Sequence, residues 1–192
     1  MLEAIKHGLR NLFKFTGRDA RQTFWYYVLF VYIVTTVVSM LAMIPAMVDM
    51  FTNIMDVAAA GGSPELAQQT IASSMSGLFG LVGWMSMVVG GALIALLAAS
   101  LVRRLHDSDM PGWWALAPAA LQVYGIVQMP AQMAAMAAAM ADPAAMNDPT
   151  AMYRAQGTAG LIGWAAIGLV IWFGVRKSSP GPNQYGDAPT SF

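Results

Sequence analysis

Four stretches of this 192-residue chain, near residues 24–48, 78–102, 113–133 and 158–175, contain no Asp, Glu, Lys or Arg. Crossing a hydrocarbon core takes roughly 20 helical residues, and each stretch is long enough or nearly so. Lipid tolerates only a backbone that satisfies its own hydrogen bonds, so such runs must be helices. The expected fold is all-α: a polytopic membrane protein whose four transmembrane helices form an up-down bundle. Composition agrees, because only 10% of residues are charged, against about a quarter in soluble domains.

The charges that remain are segregated. Lys6, Arg10, Lys14, Arg18 and Arg21 precede the first stretch, Arg103 and Arg104 separate the second from the third, and Arg176 and Lys177 follow the fourth. Only Arg154 falls on the other side, with Asp49, Asp56, Glu65, Asp142 and Asp148. Basic loops are retained in the cytoplasm, so both termini and the central turn are expected there, in a multi-pass protein of the plasma membrane. The first stretch is longer than a signal-peptide core and some 23 residues precede it, so it reads as a retained span.

Residues 1–18 read as a cytoplasmic amphipathic segment lying in the interface. Leu2, Ile5, Leu9, Leu12 and Phe13 recur at helical spacing, with Lys6, His7, Arg10 and Lys14 on other faces. A break at Phe15-Thr16-Gly17 follows, and Asp19 with Gln22 resembles a capping box opening the first span. Trp25, Tyr26 and Tyr27 mark its inner boundary. Residues 19–177 then form the membrane domain. Its helices are expected to extend beyond the outer leaflet, because Met47, Met50, Phe51, Ile54 and Met55 keep helical spacing after Pro45, up to Gly61-Gly62. Ser63-Pro64-Glu65 offers a cap, an N1 proline and a first-turn acid for the returning helix. Asp142-Pro143 and Asp148-Pro149 mark a second outer turn. Gly91, Ala95 and Ala99 on the second helix, and Ala159 with Gly163 on the fourth, are small enough to form close helix contacts. Residues 178–192, rich in Pro, Gly and polar side chains, read as an irregular cytoplasmic tail.

Three blocks carry the most information. Phe15-Thr16-Gly17-Arg18-Asp19-Ala20-Arg21 leads into Phe24-Trp25; Arg103-Arg104-Leu105-His106-Asp107 is followed by Gly112-Trp113-Trp114; and Gly181-Pro182-Asn183-Gln184-Tyr185-Gly186-Asp187-Ala188-Pro189 closes the chain. In the expected topology all three face the cytoplasm and can converge. Arg18, Arg21, Arg103 and Arg104 would suit a phosphate or an anionic headgroup through their forked donors. Against this, Arg103 and Arg104 stand four and three residues before Asp107, a spacing that allows simple pairing along one helix end. Packing and topology are the leading reading of these arginines.

The same blocks, in the same order, resemble the domain of unknown function 805 family of small bacterial inner-membrane proteins. The resemblance covers nearly the whole chain and singles out Gly17, Arg18, Arg21, Arg103, Arg104, His106, Asp107, Gly112, Trp113, Trp114, Asn183, Tyr185 and Gly186. It implies an inner-membrane location and a polytopic fold but no reaction. Ser108-Asp109-Met110-Pro111 departs from the family's Ile-Gly-x-Ser loop, and the Ala/Met-rich outer segments are longer than usual.

Several classes of chemistry are disfavoured. The chain has no cysteine and two histidines, which removes thiolate chemistry and makes a zinc site improbable. His106 and Asp107 are adjacent, so on a helix they do not face each other, and no nucleophile signature stands nearby. No catalytic residue, cofactor or nucleic-acid partner is expected. Met129, Met133, Met136 and Met140 form a stripe of thioethers that would suit Cu(I), although flexible packing explains it as well and is preferred. The reading carried forward is a non-enzymatic interaction or envelope-maintenance protein whose cytoplasmic Arg/Trp/His surface meets membrane lipids, a second copy or another membrane protein. A small oligomeric transporter or pore is the alternative, weakened by the lack of a midplane charge.

Overall fold

A computed structural model describes residues 1–142, 144, 148, 150–157 and 159–189. The described residues form α1 (Leu2–Arg10), α2 (Arg21–Ala59), α3 (Pro64–Asp107), a 3-10 turn (Gly112–Ala115), α4 (Leu116–Ala141), α5 (Ala151–Gln156) and α6 (Ala159–Val175). The fold is all-α. Two helices, α2 and α3, are long and apolar enough to cross a membrane, and the apolar run Gly160–Val175 within α6 is shorter.

The expected signals at the turn between α2 and α3 act where the sequence places them. At 39 and 44 residues, α2 and α3 are about 58 and 66 Å long at 1.5 Å per residue. Pro45 lies inside α2 without ending it. Gly61 turns the chain at φ +64°, a conformation glycine adopts without a steric penalty. The Ser63 hydroxyl then accepts the Leu66 N–H at 3.3 Å, capping α3 behind its N1 proline. The second expected turn, over 142–149, falls largely outside the described residues, Pro143 and Pro149 included.

Neighbouring helices run in opposite directions. The Tyr27 hydroxyl at the start of α2 donates to the Leu96 carbonyl near the end of α3. Gly83 faces Pro130 and Met133, while Gly90 faces Ile126 and Gln122, so α4 descends past α3. Trp114 lies beside Phe173, bringing the end of α6 to the start of α4. One end of the molecule therefore gathers the start of α2, the end of α3, the 3-10 turn and the end of α6. The apolar core sits there too: Phe24, Leu101, Leu105 and Phe173 pack together and are all buried.

Several expectations are corrected. Asp19 does not cap the first span: α2 opens at Arg21 after Ala20 with no side-chain cap, and Gln22 donates instead to the Tyr26 hydroxyl. The stronger claim on Asp19 comes from buried guanidinium groups described below. Tyr27 is 1% exposed and lies against Gly8, so it is not an interfacial marker. Helix α1 stops at Arg10, leaving Leu12 and Phe13 in the following loop. Its buried residues are Ala4 and Gly8, whereas Leu2, Leu9 and Phe13 are exposed. Gly91 and Ala95 are also exposed, and no neighbour approaches Gly91 or Gly163. Of the expected ridge on α3 only Ala99 is buried, and the close glycine contacts of α3 are instead at Gly83 and Gly90.

Candidate functional site

The three blocks meet at the gathered end. At its centre lie two carboxylates and three guanidiniums, all buried: Asp19, Asp107, Arg18, Arg103 and Arg104. A charge taken from water costs several kcal/mol unless it is paired and every polar atom finds a partner, so the network is best read atom by atom.

Asp107, at the last turn of α3, joins three segments. Its Oδ1 accepts from Arg18 Nη2 at 3.0 Å and Nε at 3.2 Å. Its Oδ2 accepts from Arg104 Nη1 and the Ser178 hydroxyl, each at 2.5 Å. The Asp107 carbonyl takes the Ser179 N–H at 2.8 Å. The expected i,i+3 pairing of Arg104 with Asp107 is thus present, but Arg103 turns the other way.

Arg103 is bound to the N-terminal segment. Its Nε donates to Asp19 Oδ1 at 3.0 Å, while Nη1 donates to the carbonyls of Asn11 and Lys14 at 2.8 and 2.5 Å. His7 Nε2 lies 3.0 Å from the same Asp19 oxygen, and the Ser100 hydroxyl donates to Oδ2 at 3.1 Å. Asp19 also donates its N–H to the Arg103 carbonyl. Burial alone would raise the Asp19 carboxyl, but hydrogen bonds from His7 and Arg103, with their positive charge, outweigh it and hold the group below the usual carboxylate range. A lowered folded-state value means that Asp19 contributes its full stabilisation above the unfolded carboxylate range. That contribution is lost as pH falls through the lowered value. Melting curves of the wild type and Asp19→Asn should therefore differ most above about pH 4 and draw together only as pH falls through the lowered value beneath it.

Most of the remaining donors reach backbone carbonyls, while the buried Arg103 Nη2 has no hydrogen-bond partner. Arg104 Nε donates to Gly174 at 3.1 Å and Nη2 to Arg176, so one guanidinium covers carbonyls at the end of α6, where the helix dipole is negative. Arg18 Nη1 donates to Gly181 at 2.7 Å and Gly186 at 3.2 Å, and Nη2 to Ser179 at 3.0 Å. Gly17, Gly181 and Gly186 all have positive φ, which lets the flanking chain turn its carbonyls toward the charges.

His106 and the tail form the outer layer. Its Nδ1 lies 3.2 Å from the Gly17 carbonyl; a carbonyl can only accept, so that nitrogen carries the proton. Tyr185 stacks on the ring at 3.9 Å between centroids and 3° between planes. Asn183 Nδ2 donates to the His106 carbonyl and to the Ser179 hydroxyl, both at 2.9 Å. Gly112 lies close over Val102 and His106. Trp113 and Trp114 stack on each other at 4.5 Å and remain exposed, as does Arg21.

Of the residues singled out by the sequence, Arg18, Arg103, Arg104, His106, Asp107, Asn183, Tyr185 and Gly186 meet in one network with Gly17 and Gly112 at its edges. Arg21, Trp113 and Trp114 lie on the outside. The network holds the helices and the tail together, and its guanidiniums are buried within it. Sequence reasoning missed Asp19, Ser100, Gly174, Ser178 and Ser179 as members. Asp19 carried a signal, being an acid placed between Arg18 and Arg21 in a chain with few charges. Met129, Met133, Met136 and Met140 are half-buried along α4, with Met133 beside Gly83. On comparison with known proteins, residues 12–187 match the family described as "Protein of unknown function (DUF805)". No curated protein and no solved structure matches the chain.

Proposed function

Because the chain belongs to the DUF805 family, whose description assigns no activity, we propose a function from the site: a non-enzymatic, four-span protein of the bacterial inner membrane whose cytoplasmic face binds anionic lipid headgroups. In this reading α2, α3, the 3-10 turn with α4, and α6 cross in alternating directions. Both termini lie in the cytoplasm, and the buried ionic network sits at the inner boundary.

The observation that carries the proposal is the surface left over once Arg18, Arg103 and Arg104 are spent internally. Leu2, Leu9, Phe13 and Phe15 stand exposed beside the exposed cations Lys6, Arg10, Lys14 and Arg21. Apolar side chains that enter the headgroup region, flanked by cations, are the chemistry of interfacial anchoring to anionic lipid. Trp113, 60% exposed, continues the surface with a ring suited to the same boundary. The tryptophan at Trp84, 69% exposed, lies about 28 Å along α3 from Arg103, close to one hydrocarbon thickness.

Full-length protein in nanodiscs of mixed phosphatidylglycerol and phosphatidylcholine tests this. Native mass spectrometry should show phosphatidylglycerol retained in preference, and the Lys6→Gln/Arg10→Gln/Lys14→Gln variant should lose on the order of a hundredfold in that preference, since each of three cations near the surface is worth about 1 kcal/mol. Equal retention by both proteins would remove the headgroup reading. Flux of a solute into sealed vesicles would replace it with the transporter alternative.

A further inference from the structure

The outer half of α2 carries an apolar stripe that α3 leaves uncovered and that continues beyond the expected reach of the bilayer. Val37, Leu41, Ile44, Val48, Phe51 and Met55 follow a 4-3-4-3-4 spacing, and each is between 49% and 63% exposed. Val34, 42% exposed, extends the stripe by one position. Within the span this spacing carries little information, because nearly every side chain there is apolar. Beyond Pro45 it does. Met43, Ala46, Met50, Ile54 and Val57 are half-buried, and Val57 lies against the turn into α3. Asp49, Thr52, Asn53 and Asp56 are exposed on a different arc. Ile44, Val48, Phe51 and Met55 occupy a third arc, separate from both.

With Trp25 at the inner boundary, roughly 20 residues of helix reach the outer one near Pro45. Phe51 and Met55 then stand about 9 and 15 Å beyond the lipid. Apolar side chains there meet water unless another surface covers them.

We infer that this stripe is the seam of a parallel homodimer in which α2 of one copy packs against α2 of the second. The inference rests on the four-span placement above. Three features select a second copy as the occupant. A seam repeating every 3.5 residues is the pattern by which a helix meets another of the same kind, knobs into holes. All copies enter the membrane in one orientation, so a two-fold axis along the membrane normal makes the helices parallel and brings each seam residue to its own counterpart. Six half-exposed side chains from each copy give an interface on the order of 1,000 Å², the size at which specific pairing begins.

The chain has no native cysteine, so each single-cysteine variant carries one thiol. Val48→Cys, Phe51→Cys and Met55→Cys, with Asp49→Cys, Asn53→Cys and Asp56→Cys as the opposing arc, are oxidised in native membranes and resolved on non-reducing gels. The first three should give several-fold more disulfide-linked dimer than the second three. An even profile, no dimer, or adducts formed only with other proteins would overturn the pairing. Labelling of Asp49→Cys in intact cells by a membrane-impermeant maleimide separately tests the placement: a protected thiol defeats the four-span reading, whereas a labelled thiol with no dimer defeats only the seam.

Discussion

Asp107→Asn is expected to be the most damaging conservative substitution in this protein, costing about 3–5 kcal/mol, the range for breaking a buried ion pair from one side. The native carboxylate accepts from Arg18 on one oxygen and from Arg104 and Ser178 on the other. An amide has the same shape but a single acceptor oxygen. Its NH2 group would have to face one of the two guanidiniums, donor against donor. Three buried cations would then share Asp19 alone as a charged partner. In detergent, the variant should precipitate at a markedly lower temperature than the wild type, and thermal shift followed by gel filtration measures this. Adding Arg18→Gln to Asp107→Asn should cost less than Arg18→Gln alone, because the charge that Arg18 answers is already gone. Strictly additive effects would show that the two residues are not coupled.

The second large effect is steric. A Cβ at Gly174 would lie 2.6 Å from Trp25 Cζ2 and 2.8 Å from Phe24 Cε1, and the Phe24 ring is fully buried. Gly174 also supplies the carbonyl that accepts from Arg104 Nε, so α6 cannot shift aside without disturbing the ionic network. Gly174→Val should therefore cost about 3 kcal/mol, at the upper end for overpacking. Gly168→Val on the same helix meets nothing nearby and serves as the control. Equal loss in the two variants would assign the effect to glycine replacement in general rather than to this contact.

The sequence revealed the site more readily than the packing, for a physical reason. In a chain this apolar each charged residue stands out, and the three blocks that carry the charges are the blocks that converge. Helix ends were also legible where chemistry is local, as at Gly61-Gly62 and Ser63-Pro64. What stayed hidden depends on partners remote in sequence. Asp19 looks like a cap because its neighbours fit one, and although an acid between two arginines stands out, nothing local names Arg103, 84 residues away, as its partner. The choice of Gly91 and Ala95 over Gly83 and Gly90 failed because a helix that is apolar all round has no polar face to set its phase.

The binding of the tail by Arg18 has a consequence for biogenesis. Its carbonyl partners at Ser179, Gly181 and Gly186 are 161, 163 and 168 residues away along the chain. Translation adds on the order of ten residues per second, so the arginine waits many seconds before those carbonyls exist. Assembly of this end is therefore a late event with a costly loop to close. Until it completes, the newly made protein exposes an arginine and an aspartate that the mature one conceals.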